Sequence, residues 1–210
     1  MIGLLTSLSS PAIYSLFPVP FIVKLLNLKI QSLTLEHLTD LLELDKACFD
    51  GLWTIEGYRR ELESPNSHFL GLFTPFSKSG LLAMGCFWSI LEEAHITILA
   101  VHPEYQGQGL GQALLYALLK TASDRGLERA TLEVRVSNQK AISLYEKFGF
   151  KTAGKRPRYY QDNNEDALIL WTSNLQQPSF LKNLDDWEVM ISDRLKKSSW
   201  SFIICEEGDR

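Results

Sequence analysis

Apolar and polar positions along the chain follow a period that switches between extended and helical, and each switch marks an element. Residues 28–32 read as a short strand. Thr34 is placed as the N-cap of a helix carrying Leu38, Leu41, Leu42, Cys48 and Phe49 on one side. Asp50-Gly51-Leu52-Trp53 breaks that helix, and Thr54 caps a second one that stops before Ser64-Pro65. Strands are predicted at 69–73, 81–90 and 94–101, which are rich in apolar and β-branched residues. Leu110, Leu114, Leu115, Leu118, Leu119 and Ala122 form the stripe of the next helix, which ends at Gly126. In the strand 130–136, Leu132, Val134 and Val136 share one face, and Thr131, Glu133 and Arg135 the other. Asn138 opens a helix over 139–148, closed by Gly149 with Phe150 as its apolar partner. A last antiparallel pair, 151–160 and 165–172, turns at Asp162-Asn163-Asn164. This order predicts an α+β fold, a mixed and mostly antiparallel sheet flanked by helices on both faces.

The pattern divides the chain into an apolar extension over 1–27, one domain over 28–174, and a tail over 175–210 in which 182–195 can form a helix around Trp187. The 210 residues are 45% hydrophobic, enough for one real core. A net charge of −4 offers no basic face to nucleic acid and would if anything attract cationic substrates. Cys48, Cys86 and Cys205 are odd in number and far apart, which argues against a disulfide framework or zinc site and for a reducing, cytoplasmic setting. His37, His68, His95 and His102 show no metal-binding spacing. The first 23 residues lack the basic start of a signal peptide, and Pro11, Pro18 and Pro20 interrupt any membrane span. A docked or disordered extension is expected there, with membrane association as the lesser alternative.

Between the strand 94–101 and the next helix the chain reads Val101-His102-Pro103-Glu104-Tyr105-Gln106-Gly107-Gln108-Gly109-Leu110-Gly111-Gln112. Such a stretch is either an ordinary strand-to-helix loop or a cradle whose N–H groups converge on an anion at a helix start. A Walker loop would end in Gly-Lys-Ser/Thr, whereas Gly111 is followed by Gln112 and Ala113. A dinucleotide fingerprint would space its glycines Gly-x-Gly-x-x-Gly directly after the strand, which fails too. What remains is Gln-x-x-Gly-x-Gly at Gln106, Gly109 and Gly111, which resembles the acetyl-coenzyme A pyrophosphate loop of the GNAT N-acetyltransferase superfamily. Two blocks follow in matching order, Leu132-Glu133-Val134-Arg135-Val136-Ser137-Asn138 and Ala141-Ile142-Ser143-Leu144-Tyr145-Glu146-Lys147-Phe148-Gly149-Phe150. With Arg158-Tyr159-Tyr160 and Glu165-Asp166-Ala167, they are similar to the bacterial RimI-type ribosomal-protein-alanine N-acetyltransferases. The resemblance spans 28–174.

That resemblance implies the GNAT fold and acetyl-coenzyme A as co-substrate, with no metal. It implies that the backbone of Leu99, Ala100 and Val101 meets the acetyl and pantetheine portion. Gly107, Gln108, Gly109, Leu110, Gly111 and Gln112 would cradle the pyrophosphate, and Asn138 would be a side-chain ligand. Asn138 reads equally well as a plain N-cap. Taken alone, Glu133 is an exposed residue or a structural ion-pair partner of Arg135; the resemblance makes it the general base. Tyr145 is either an aromatic core residue or, by resemblance, the acid that protonates the departing thiolate. Trp53, Tyr159 and Tyr160 are placed at the substrate peptide.

The activity implied is acetylation of a protein N-terminus, an alanine of a ribosomal protein, in the cytoplasm, without direct nucleic-acid contact or firm membrane association. Transfer is expected to be direct, because no cysteine matches a nucleophile position. The alternatives are a GNAT enzyme acting on a small amine or lysine side chain, and a non-catalytic acyl-coenzyme A binding module needing neither Glu133 nor Tyr145. A bulky residue at Gly109 is expected to obstruct the phosphate while leaving the fold nearly intact.

Overall fold

The computed structural model describes residues 25–75 and 80–205, so the expectations for residues 1–24 lie outside the described residues. The chain runs β1 (Leu26–Ser32), α1 (Leu38–Phe49), α2 (Ile55–Glu63), β2 (Ser67–Phe73), β3 (Leu81–Ile90) and β4 (Glu93–Val101). It continues through α3 (Leu110–Asp124), β5 (Arg129–Arg135), α4 (Gln139–Lys147), β6 (Lys151–Tyr160), β7 (Glu165–Ser173), α5 (Pro178–Lys196) and β8 (Trp200–Ile204). The strands form one sheet in the order β6-β7-β5-β4-β3-β2-β1-β8. Neighbours are antiparallel except β4–β5 and β1–β8. One face buries Leu28, Ile30, Leu72, Ile96 and Leu132 under α3, α4 and α5; the other buries Phe69, Met84, Cys86 and Ile98 under α1 and α2. None of the described helices is long and apolar enough to cross a membrane.

Alternation along β4 looks like a single buried face, but a bulge divides it. Cys86 pairs with Ile98 and Phe87 with Ile96, so Thr97 is the extra residue. Ala94 and Ile96 therefore bury on the α3 side, whereas Ile98 and Ala100 bury under α1 and α2. The same switch turns Leu99 and Val101 toward α3. A bulge also bends its strand, and the parallel pairing with β5 covers only 93–96 against 129–132. Beyond Ile96 the two strands part.

The α1 region differs in detail from the sequence expectation. A short 3-10 turn, Leu35–His37, comes first, and the Thr34 N–H donates to His37 Nδ1 at 3.1 Å. The buried positions of α1 are Leu41, Leu44 and Asp45, and Phe49 is 41% exposed. Asp45 is buried because both of its oxygens accept the Leu52 N–H, at 3.0 and 2.8 Å, which ties down the loop after α1. Thr54 caps α2 as expected, accepting from the Gly57 N–H at 3.1 Å. After α4, the Phe150 N–H reaches the Tyr145 carbonyl and the Gly149 N–H the Glu146 carbonyl, the paired bonds of a Schellman cap with Gly149 at φ 80°.

The segment after Asn174 completes the sheet rather than trailing from it. Pro178 sits at the first helical positions of α5, where its missing N–H costs nothing, so the helix starts earlier than the apolar stripe suggests. Trp187 holds α5 down between Phe148 (4.9 Å between ring centroids) and Phe180 (5.6 Å). Tyr116 of α3 donates to Glu188 at 3.0 Å. β8, which the sequence reading lacks, pairs in parallel with Leu26 to Ile30. β1 accordingly begins at Leu26, two residues before the strand read from the sequence.

Candidate active site

The parting of β4 and β5 opens a cleft of about 700 Å³ between the end of β4, the glycine loop and α4. Just past β4, the His102 N–H donates to the Leu82 carbonyl at 2.8 Å. Hydrogen-bonded pairs alternate along an antiparallel ladder, so Ala100 and Ile98 direct their backbone groups at β3, and Leu99 and Val101 direct theirs at the gap. The Val101 carbonyl is taken by Gln106 Nε2 at 3.1 Å, a contact that folds the loop back on the strand. Gly107 and Gly109 stand at φ 75° and 102°, and Gly109 is the N-cap of α3. The α3 N-terminus thus points its free N–H groups into the cleft mouth.

A long acyl thioester bearing phosphates fits this cleft on three observations. The wedge offers backbone donors and acceptors beside apolar Leu99, Val101, Leu144 and Ala141, which suits an amide-bearing pantetheine arm. Nothing stands within 4 Å of where a Gly107 Cβ would be, leaving room beside the loop. The charged groups of the lining are Lys140, Lys147 and Arg194, all cations. Asn138 reaches this lining while its Oδ1 accepts the Ala141 N–H at 3.1 Å, so it caps α4 and keeps an amide N–H₂ to donate. Gln112 also lines the cleft, and its Oε1 is buried without a partner.

Some expected cofactor residues are turned elsewhere. The Ala100 side chain lies in the α1–α2 cluster and its backbone groups face β3, so Ala100 does not meet the cofactor as expected; Leu110 is 1% exposed and has only backbone to offer. Gln108 spends its side chain on the Glu104 carbonyl (3.3 Å) and on Trp200 Nε1 (2.8 Å). At Gly109, a Cβ would stand 2.9 Å from Arg194 Cγ and 3.3 Å from Leu195 Cδ2. A bulky residue there meets the α5 side chains, so it is expected to lower stability as well as obstruct the loop.

On the opposite face of β5, Glu133 does not pair with Arg135. Its Oε2 lies 3.1 Å from His95 Nε2 and its Oε1 accepts from Arg156 Nη2 at 3.0 Å; the side chain is 9% exposed. Arg135 instead donates from Nη2 to both oxygens of Asp162, reaches Glu165 at 3.2 Å, and lies 3.8 Å above the Tyr160 ring. The alternation that put Glu133 and Arg135 on one face is correct. Their separation arises because the β6–β7 turn brings three acceptors to Arg135.

Behind Glu133 a hydrogen-bonded chain runs to the surface. His95 Nδ1 is 3.0 Å from Thr131 Oγ1, and Thr131 donates to Glu93 at 2.8 Å. Because the single hydroxyl proton of Thr131 goes to the carboxylate, His95 Nδ1 is assigned as the donor to Thr131. Its Nε2 then faces Glu133, a contact that is a hydrogen bond when one proton lies between them.

Tyr145 borders the cleft with its ring 5.8 Å from that of Phe150. Burial, and then Tyr160, raise its hydroxyl pKa well above the ordinary tyrosine value, so the phenol stays protonated. Tyr160 is also raised, by burial first, with the Glu133 charge contributing. Tyr160 therefore lies within electrostatic reach of both Glu133 and Tyr145. Tyr159 is 45% exposed, edge-on to Tyr160 at 5.1 Å. Trp53 turns inward against Tyr58 (5.2 Å) and Phe69 (6.2 Å), leaving Phe49, Leu52 and Ile55 as the exposed apolar residues of that loop. His95, Arg156 and Arg194 are the site residues that sequence reasoning missed.

Known proteins are similar to this chain in sequence and fold. The model of the acetyltransferase (GNAT) family matches residues 38–150, more than half of the chain. A Bacillus subtilis (strain 168) protein, whose name assigns it provisionally as a ribosomal protein bS18-alanine N-acetyltransferase, is 38% identical over 146 residues, 69% of this chain and 94% of the relative. An N-alpha-acetyltransferase RimI of Mycobacterium tuberculosis (strain ATCC 25618 / H37Rv) is 36% identical over 133 residues, 61% of this chain and 81% of its own. The crystal structure of the ribosomal-protein-S18-alanine N-acetyltransferase from Escherichia coli superposes with a TM-score of 0.63 at 32% identity, covering 70% of this chain and 94% of that one. With the diverging strands, the glycine loop and these relatives in agreement, the chain belongs to the GNAT family of acetyltransferases.

Proposed function

We propose that the protein acetylates the N-terminal α-amine of a protein, an alanine of a ribosomal protein, in the cytoplasm, using acetyl-coenzyme A. The observation that carries the reading is the relative named for bS18-alanine acetylation, matched along 94% of its own length, whose name specifies both the donor reaction and the acceptor. The geometry supports it: the Glu133 carboxylate, 9% exposed, and the protonated phenol of Tyr145, which borders the cleft, both lie within electrostatic reach of Tyr160.

Acetyl-coenzyme A supplies the acetyl group as a thioester, activated for attack by an amine. An α-ammonium has a pKa of about 7.7 to 8.0, so at neutral pH the base has only a modest deprotonation to perform. Glu133 takes that proton, directly or through water, and His95, Thr131 and Glu93 offer a path by which it returns to solvent. The backbone of Leu99 and Val101 faces the wedge, where an N–H aimed at developing negative charge is preorganised. Tyr145 holds its proton at the cleft wall for the leaving sulfur. Its raised pKa makes that donation more uphill than from an ordinary phenol, toward a thiol of pKa about 8.5, and the transfer therefore depends on charge building up on sulfur. Tyr159, Tyr160 and the exposed Phe49 and Leu52 border the approach of the peptide.

Purified protein would be incubated with acetyl-coenzyme A and two peptides, one with a free N-terminal alanine and no lysine, one N-terminally blocked and carrying lysine. Mass spectrometry should find acetyl only on the first, and ribosomal proteins from cells lacking the gene should lose one N-terminal acetyl group. Acetylation of the blocked peptide alone would transfer the reading to a lysine or small-amine acetyltransferase.

A further inference from the structure

The segment α5–β8 lies outside the 38–150 region matched by the family, yet it reaches the glycine loop at three consecutive residues, Gly107, Gln108 and Gly109. Arg194 Nη2 donates to the Gly107 carbonyl. The Arg194 stem and the fully buried Leu195 fill the space beside Gly109. Trp200 Nε1 donates to Gln108 Oε1 at 2.8 Å. Arg194 is thereby fixed at its stem while its guanidinium is exposed on the cleft wall.

A backbone carbonyl occupies one of the five N–H donors of a guanidinium and does not neutralise it. Among the described residues no carboxylate forms an ion pair with Arg194, in a chain whose net charge is −4. Its neighbours in the cleft lining that carry charge are Lys140 and Lys147. Three cations around the start of α3 leave a local excess of positive charge, and a fork-shaped donor is suited to a phosphate.

Resting on the acetyl-coenzyme A reading above, we propose that Arg194 is a further cofactor-binding residue: it pairs with a phosphate of the cofactor at the glycine loop, so that the C-terminal segment supplies part of the anion site. The pyrophosphate is the group nearest this loop in that reading, and the 3′-phosphate is the other source of the same chemistry.

The test is calorimetry on the full chain and on Arg194→Gln and Arg194→Lys, with acetyl-coenzyme A and with its analogue lacking the 3′-phosphate. A charge-assisted hydrogen bond predicts that Arg194→Gln weakens binding by about tenfold to a hundredfold, and that Arg194→Lys recovers part of the loss. An equal loss with both ligands assigns the pyrophosphate; a loss confined to the complete cofactor supports pairing with the 3′-phosphate. The ligand-free thermal midpoint should stay within a few degrees. Unchanged affinity in Arg194→Gln overturns the proposal, as does equal weakening by Lys and Gln with a matching fall in the midpoint, which would make Arg194 a structural latch. Failure of the wild-type protein to bind either ligand would instead overturn the acetyl-coenzyme A reading itself.

Discussion

Replacing Glu133 by Gln separates a catalytic carboxylate from a structural one with little change of shape. Arg156 can only donate, so the amide oxygen of Gln would take its place 3.0 Å from Arg156 Nη2, and the amide nitrogen would turn to His95 Nε2, 3.1 Å from the second oxygen. Both neighbours keep a partner. The lost charge on the pair with Arg156, which is half exposed, costs about 1 kcal/mol or less in stability. The expected catalytic cost is far larger, about 10²- to 10⁴-fold in turnover, or roughly 3 to 5 kcal/mol of barrier. Steady-state rates on an alanine-terminated peptide, taken from about pH 6 to 10, should show partial recovery of the variant as the substrate amine passes its pKa of about 7.7 to 8.0 and deprotonates unaided. Cofactor affinity and thermal midpoint serve as controls. Turnover close to wild type at neutral pH, with the fold retained, would show that Glu133 is only a bridge between His95 and Arg156. The base would then be sought at Glu93, the far end of the same hydrogen-bonded chain.

Tyr145→Phe should lose turnover on the same scale without recovery at high pH, because the missing proton serves the leaving sulfur and not the amine; recovery parallel to that of Glu133→Gln would contradict the assignment. Gly109→Val should lower the thermal midpoint through about 1 to 3 kcal/mol of strain at φ 102° plus the encounter with Arg194 Cγ, and a midpoint equal to wild type would show that α5 yields freely. Glu165 is held down to about 2, chiefly by hydrogen bonds from Ser137, so it contributes stability that is present above the ordinary value of 4.5 and lost as pH falls toward 2. Glu165→Gln should flatten that part of the pH–stability curve, which thermal melts can follow. Burial pushes the Cys48 and Cys86 thiols up to about 11, so at pH 8 a thiol reagent should label Cys205 first, and faster labelling of Cys48 would refute the burial argument.

Local signals carried most of the fold. Thr54 and Asn138 are found at the helix caps their types suggest, and Gly149 closes α4 with Phe150 because only the left-handed region permits that pair of bonds. The departures arise where long-range pairing decides. Trp200-Ser201-Phe202-Ile203-Ile204 is short and not strictly alternating, and it becomes a strand because Leu26 to Ile30 present an open edge beside it. Phe49 continues an apolar run but ends α1 about 80° round the helix from Leu41, at the margin of the stripe through Leu41, Leu44 and Asp45.

The site divides along the same line. The glycine loop and Tyr145 were legible because each belongs to a contiguous motif, whereas the environment of Glu133 depends on which strands become neighbours. Polar residues at alternate positions, Glu93 and His95 in β4 and Thr131 and Glu133 in β5, were present as patterns within each strand. Their meeting requires β4 and β5 to be parallel, and the intervening α3 is the crossover that parallel neighbours need. Register adds the rest: His95 falls opposite Thr131, and the next inward residue of β5, Glu133, reaches the far side of the imidazole. Had the helix between them been read as a crossover, His95 could have been placed beside Glu133 from sequence. No such route leads to Arg156. It comes from β6, two strands away through β7, and its long side chain reaches Glu133 across the intervening strand. A carboxylate in an apolar strand therefore announces a partner without identifying it, and the identity is set by strand order and register, which a period-two pattern within one strand cannot encode.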